Sequence, residues 1–270
     1  MEKEEILHTK EAFGSIAANY DTYDNKNEIL AWMRSVVYKV YMKELKQGSK
    51  VLELNCGTGI DAMFLSENNI KVFATDISPQ MISIVKDKIK TSGTKNIIGA
   101  EAASFDEIGK INEQNFDAVV SNFGGLNCIN DFGMLSEEIY LKLNPGGKFI
   151  AVVMNRICPW EILYYILRRM DFKNAFRRFG KTGIYIDLNG GKVLTYYFSA
   201  GEFAKVFSTH FKKEKIYTLG YYTPPPYLVG IYRRLKPLVK LWMMLDEVVK
   251  GIYPFNRFGD HFIIIFSRRG

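Results

Sequence analysis

The stretch Val51-Leu52-Glu53-Leu54-Asn55-Cys56-Gly57-Thr58-Gly59 constrains this chain more than any other. A short apolar run suited to a buried strand ends in a Gly-x-Gly turn, and a helical pattern over 60–68 follows. Glycine at 57 and 59 leaves no Cβ where a ligand must approach the backbone. The next strand-like run, 71–75, ends at Asp76, 23 positions after Glu53. In open α/β sheets an acid in that position reaches the ribose hydroxyls of a nucleoside bound across the strand ends.

The alternation continues. Ser78-Pro79 opens a helix over 80–90, with proline in its first turn. Strands are expected at 50–54, 96–99, 116–121 and 148–154. A helix over 132–143 is stopped by Asn144-Pro145-Gly146-Gly147. Strands alternating with helices imply a parallel sheet covered on both faces. Upstream, 12–20 reads as a helix ending at Asp21, and 28–45 as a longer one closed by Gly48.

After Asn155 the rhythm breaks. Residues 159–179 read as one basic amphipathic helix. Asn189-Gly190-Gly191, between 184–188 and 192–198, is a hairpin signal. A helix is expected over 199–211 with Ser199 as its cap, then strands at 215–219 and 261–267. Pro224-Pro225-Pro226 introduces a long insertion with helices of its own. The organisation that fits is one domain over 1–270. It comprises a helical leader or lid (1–48), a core (49–154), a substrate cap with the hairpin (155–212), and the last two strands (213–270) interrupted by a helical insertion at 221–258.

Composition narrows the class. An apolar share of 47% with 24% charged residues is globular. The longest apolar runs fall far short of the roughly 18–20 residues of a spanning helix. The first ten residues, MEKEEILHTK, lack the apolar core of a signal peptide. Cys56, Cys128 and Cys158 have no CxxC spacing, so neither a zinc site nor a disulfide frame is expected, and a cytoplasmic setting is. No metal site is visible. The net charge of +7 is concentrated: 156–181 holds seven basic residues against two acidic, and 221–258 holds six against two. A solvated face, an acidic substrate, an anionic membrane and nucleic acid are all open readings of that charge.

Gly57-Thr58-Gly59-Ile60-Asp61-Ala62 satisfies the dinucleotide pattern GxGxxA. The fuller combination of Glu53, the glycine turn and Asp76 resembles the class I S-adenosylmethionine methyltransferases, whose motif reads approximately LELGCGTG. The resemblance continues through Ala74-Thr75-Asp76-Ile77-Ser78-Pro79-Gln80-Met81, Phe116-Asp117-Ala118-Val119-Val120-Ser121-Asn122 and Leu143-Asn144-Pro145-Gly146-Gly147. Phe13-Gly14-Ser15-Ile16-Ala17-Ala18-Asn19-Tyr20-Asp21 looks like the leader of ubiquinone-type and related small-molecule methyltransferases.

This resemblance implies an α/β, Rossmann-like, seven-stranded and mostly parallel sheet with helices on both faces. It also implies an antiparallel last strand, cap insertions, and S-adenosylmethionine as cofactor with S-adenosylhomocysteine as product. Glu53 would lie near the methionine end, with Gly57 and Gly59 under the cofactor. Asp76 would take the ribose, Ile77 and Met81 would sandwich the adenine, and Glu101-Ala102 would meet its amino group. Tyr20 and Arg34 would cover the cofactor or bind its carboxylate. Asn55 stands where the family has its first glycine, and asparagine tolerates the left-handed backbone better than other side chains. Plainer readings stand beside these: core packing for Ile77 and Met81, a helix cap for Asp76, surface charge for Glu101, and packing for Tyr20 and Arg34.

Methyl transfer is an in-line displacement, so catalysis is mainly alignment and exclusion of water. The segment 121–128 should border the methyl. It lacks the Asn/Asp-Pro-Pro-Tyr/Phe signature, which counts against DNA adenine and protein glutamine acceptors. Candidate acceptor-side residues are Asn122, Asn127, Arg156, Trp160 and Tyr197. Glu161 is either a base or a helix-start carboxylate, and His261, beside Asp260, either a base or structural. Aromatic residues beside cations in the caps favour a medium-sized hydrophobic small molecule methylated at O, N or C. Peripheral contact with an anionic membrane is open, as is oligomeric state. An RNA methyltransferase using the basic caps and an inactive cofactor-binding module are the alternatives; NAD-dependent oxidation is disfavoured.

Overall fold

The computed structural model describes residues 3–188 and 191–270. Seven strands form one sheet: β1 (Lys50–Leu54), β2 (Lys71–Asp76), β3 (Ile97–Ala102), β4 (Phe116–Ser121), β5 (Leu143–Met154), β8 (Phe211–Leu219) and β9 (His261–Arg268). Two more, β6 (Ile184–Asp187) and β7 (Lys192–Thr195), pair separately. The sheet order is β3-β2-β1-β4-β5-β9-β8, and β9 alone runs antiparallel to its neighbours.

The helices are α1 (Lys3–Asn25), α2 (Glu28–Glu44), α3 (Ile60–Glu67), α4 (Pro79–Ser92), α5 (Gly133–Lys142), α6 (Pro159–Tyr164), α7 (Phe172–Ala175), α8 (Ala200–Val206), α9 (Val229–Arg234) and α10 (Lys236–Val249). Alternate strand residues feed two cores. Val51, Val120 and Ile263 pack with α2, α3, α4 and α10, whereas Leu52, Val119 and Ile264 pack with α5 and α8. Covering both faces is why the strands read as continuous apolar runs. Local chemistry sets the helix starts. Asn27 accepts from Leu30 N–H at 3.1 Å, Ser78 from Met81 N–H at 3.3 Å, and Ser199 forms a reciprocal capping box with Glu202.

Several boundaries differ from the sequence reading. The first helix is not 12–20 but the whole of α1, because Asp21 does not stop it: its carboxylate takes the Thr58 hydroxyl and Lys88 instead. Residues 159–179 are not one helix. A π-helical turn, Tyr165–Arg169, follows α6, and Met170 is left-handed (φ 52°). Asp171 then caps α7 through Asn174 N–H at 3.0 Å. An aspartate that bonds its own backbone competes with helix continuation. Residues 199–211 end as a helix at Val206, and Phe211 already begins β8. The third strand lies later than 96–99. The β6–β7 pairing agrees with the hairpin signal, although Asn189 and Gly190 fall outside the described residues. This hairpin leans on α1: a Cβ at Gly191 would stand 2.7 Å from Ala12 Cβ. Among the described residues no helix is long and apolar enough to cross a membrane.

Candidate active site

The sheet order reverses between β1 and β4, the place where open α/β sheets leave a crevice beyond their strand ends. A cavity of about 860 Å3, counted to its mouth, lies there. Its wall is formed by the turns after β1, β2, β3 and β4, together with Thr9, Phe13 and Tyr20 of α1 and Arg34 of α2.

The β1 turn carries three positive φ angles in five residues: Asn55 (47°), Gly57 (54°) and Gly59 (81°). Asn55 both accepts this conformation and uses its side chain. Its Nδ2 donates to the Asn122 carbonyl at 2.7 Å, and its Oδ1 accepts from Ser121 Oγ at 2.6 Å. The space it needs comes from the opposite loop, where a Cβ at Gly125 would stand 2.2 Å from Asn55 Cγ. Gly57 faces the cavity. Gly59 does not: it packs against Val85 of α4.

Asp76 lines the cavity with both carboxylate oxygens engaged, accepting from Gly57 N–H and Ser78 N–H at 2.9 Å each. Burial raises its pKa, and those two amides offset only part of the rise. Ile77 and Met81 form an apolar wall beside it. Glu101 and Ala102 are exposed and outside the cavity wall; Ala103, Ser104 and Phe105 occupy that position instead. The displacement reflects the register shift between β2 and β3 near Val72.

Carboxylates gather on the other side. Arg34 donates to Asp61 and, at 2.6 Å, to Asp24. Asp61 also accepts from Tyr38 Oη at 2.9 Å and Asn122 Nδ2 at 2.5 Å. Glu53 is buried beneath the cavity rather than in its wall, and its Oε2 has no partner. Burial, then repulsion by Asp61, pushes its carboxyl well above the ordinary range. Burial likewise moves the Tyr20 hydroxyl up to about 12. Asp24, Tyr38 and Asp61 were not among the sequence candidates. Their one signal was spacing: Tyr38 follows Arg34 by one helical turn, and Asp61 stands in the first turn after Gly59.

The acceptor-side candidates divide. Asn122 lines the cavity, and Asn127 is spent on main chain. The Asn127 amide donates to the carbonyls of Met154 and Tyr196 and accepts from Met154 N–H. Arg156 is tied to Glu202 and the Tyr197 carbonyl, and Tyr197 lies under the Arg178 guanidinium. Trp160 donates to the Tyr222 carbonyl and borders a separate surface groove. Glu161 is fully engaged by Arg177, Arg178 and the Tyr227 hydroxyl. Burial alone would raise its pKa, but the arginines hold it below the usual range, which suits an anchor and not a base. His261 Nδ1 meets Asp260 at 2.9 Å, and Asp260 is held by Arg178 at 2.8 Å. The imidazole packs on Phe123, which also lines the cavity and lies against the Arg34 guanidinium.

The model of the ubiE/COQ5 methyltransferase family matches residues 1–181. The chain belongs to this family. It is therefore a class I methyltransferase, and S-adenosylmethionine is the family's methyl donor. Demethylmenaquinone methyltransferase of Lactococcus lactis is 30% identical over 182 residues, 64% of this chain and 68% of that protein. The Oceanobacillus iheyensis enzyme of the same name is 33% identical over 156 residues, 56% of this chain and 62% of that protein. The chain thus spans about two thirds of the length of these relatives. An S-adenosylmethionine-dependent methyltransferase from Clostridium acetobutylicum shares the fold, with a TM-score of 0.57 at 14% identity, covering 93% of this chain and 98% of that one.

The family's residues fit the cofactor on this structure's own terms. Asp24 and Asp61 pair with one guanidinium, Glu53 and Asp76 lie close to that cluster, and both Glu53 Oε2 and Arg34 Nε are buried without a partner. Surplus carboxylate suits a ligand bearing an ammonium and a sulfonium, and the Ile77–Met81 wall suits a purine.

Proposed function

We propose that this chain transfers the methyl of S-adenosylmethionine to a medium-sized hydrophobic small molecule, with a reduced quinone of the demethylmenaquinone type as the specific candidate. The observation that carries the reading is the acid-rich cavity at the strand-order reversal, closed on one side by Phe123. Asp76 would hold the ribose, Ile77 and Met81 the adenine, and Gly57 the close backbone approach. Tyr20 and Arg34 would cover the methionine end, above Glu53. When bound, the donor supplies an electrophilic methyl on a sulfonium that is already a good leaving group. The protein's work is then to align the acceptor beside Asn122 and Phe123 and to exclude water. His261, held through Nδ1 by Asp260 and packed on Phe123 behind the cavity wall, would be the base if the acceptor loses a proton. The quinone reading draws on the relatives' names and on the apolar caps.

Calorimetry with S-adenosylmethionine and NAD side by side tests the cofactor. Binding of the first and not the second is expected, and the reverse would overturn the reading. Mass spectrometry of demethylmenaquinol after incubation should show the gain of one CH2. His261→Asn should lower kcat about 100-fold or more and flatten its pH profile, with donor affinity unchanged. An unchanged rate returns His261 to a structural role.

A further inference from the structure

Helix α10 has two apolar sides. Val239, Met243 and the polar Asp246 turn inward and are buried. Leu238, Leu241, Leu245 and Val248, spaced three and four apart, turn outward, and Val248 is 70% exposed. Trp242, at the edge of this stripe, meets Trp160 of α6 edge-on at 5.3 Å. The apolar surface continues there through Leu163 and Leu167, the latter 75% exposed, along an open groove between α6 and α9. Contiguous exposed apolar surface of this kind marks an interaction face.

The surrounding charge identifies the occupant. Every acid of the two segments is engaged: Glu161 by two arginines, Asp246 by three backbone N–H groups, Glu247 by Lys39 and Lys250, and Asp171 by Asn174. Arg168, Lys173, Arg234, Lys236 and Lys240 enter no salt bridge among the described residues, and all five are exposed. A second copy of this chain would set those cations against their own kind. RNA would satisfy the cations and leave the leucines in water. A bilayer carrying anionic headgroups accepts both. The face also lies largely beyond residue 181, where the family match ends.

We infer that the α10 stripe and the α6–α9 groove form a docking face for an anionic bilayer, with α10 lying in the plane of the interface. This inference stands apart from the identity of the acceptor, and its test needs no turnover.

The full chain is sedimented with vesicles of phosphatidylcholine alone and of phosphatidylcholine containing phosphatidylglycerol. Binding to the mixed vesicles is expected, weakening as salt is raised. Leu241→Glu with Val248→Glu should lower partitioning at least about tenfold. Arg168→Gln with Arg234→Gln should lower it about 25-fold, near fivefold per cation at the surface. Calorimetric affinity for S-adenosylmethionine should be unchanged in both, which certifies their folding. Three results would overturn the inference: no partitioning onto the mixed vesicles, equal partitioning of parent and both variants, or RNA binding in its place. So would a parent dimer in light scattering that the glutamate pair dissolves.

Discussion

Two buried arginines anchor two regions of this molecule, and they are balanced differently. Arg178 and its neighbour Arg177 meet Glu161 and Asp260, so the cap cluster has two cations for two carboxylates. Arg34 meets Asp24 and Asp61 with Glu53 and Asp76 close by, one cation for four. Burial would raise Glu161, Asp260, Glu53 and Asp76 alike, yet the first two are held low by the arginines, whereas the last two stay high. A balanced cluster fastens elements together, joining the first cap to the start of β9 across 82 residues. A cluster short of positive charge leaves carboxylate without a counter-charge.

The largest expected effect falls on the balanced side. Arg178→Met strips Asp260 of its guanidinium and leaves Glu161 with Arg177 alone, and should cost about 3–5 kcal/mol in urea unfolding. A loss below about 1 kcal/mol would break the contrast. Next, Asp76→Ala should weaken S-adenosylmethionine binding by about 1.5–3 kcal/mol, roughly 10- to 150-fold by calorimetry. Parent-like affinity would place the ligand elsewhere.

The pH response sharpens the contrast, because the two clusters should act with opposite sign. Glu53 is raised on folding, so the folded protein keeps a proton that the unfolded chain releases above about pH 4. Its contribution therefore worsens as pH rises, by up to about 1.4 kcal/mol per pH unit until the folded group ionises. Glu53→Gln should remove that slope in melts of the unliganded protein. Asp260 is depressed on folding, so its stabilisation is present above about pH 4 and fades as the solution is acidified further. Asp260→Asn should remove the fading. The smallest effect belongs to Asn55→Gly. It trades two side-chain hydrogen bonds for an easier backbone and should cost about 1 kcal/mol in unfolding.

The same contrast separates what the sequence revealed from what it did not. Strands β1, β2, β4 and β5 were legible because sheets covered on both faces write themselves as unbroken apolar runs, punctuated by glycine turns. Asp76 and Gly57 were legible because their spacing is local. The Arg34–Asp61 contact spans 27 residues and the Arg178–Asp260 contact 82, so no window along the chain displays either. Glu161 kept two readings for that reason: it does stand in the first turn of α6, and a carboxylate there looks available until its two arginines fold back onto it. The break at Met170 and the late end of β3 were set by capping and by a bulge, which helical and strand periodicity do not encode. Asn55 departs from the family glycine, and its compensation at Gly125 lies 70 positions away.

The bare backbone at Gly191 has one more consequence. It lets the hairpin nestle against Ala12, and α1 is the roof over the ligand chamber. Bulk at 191 would press on Ala12, so a residue outside the cavity wall bears on the helix that contributes Thr9, Phe13 and Tyr20 to it.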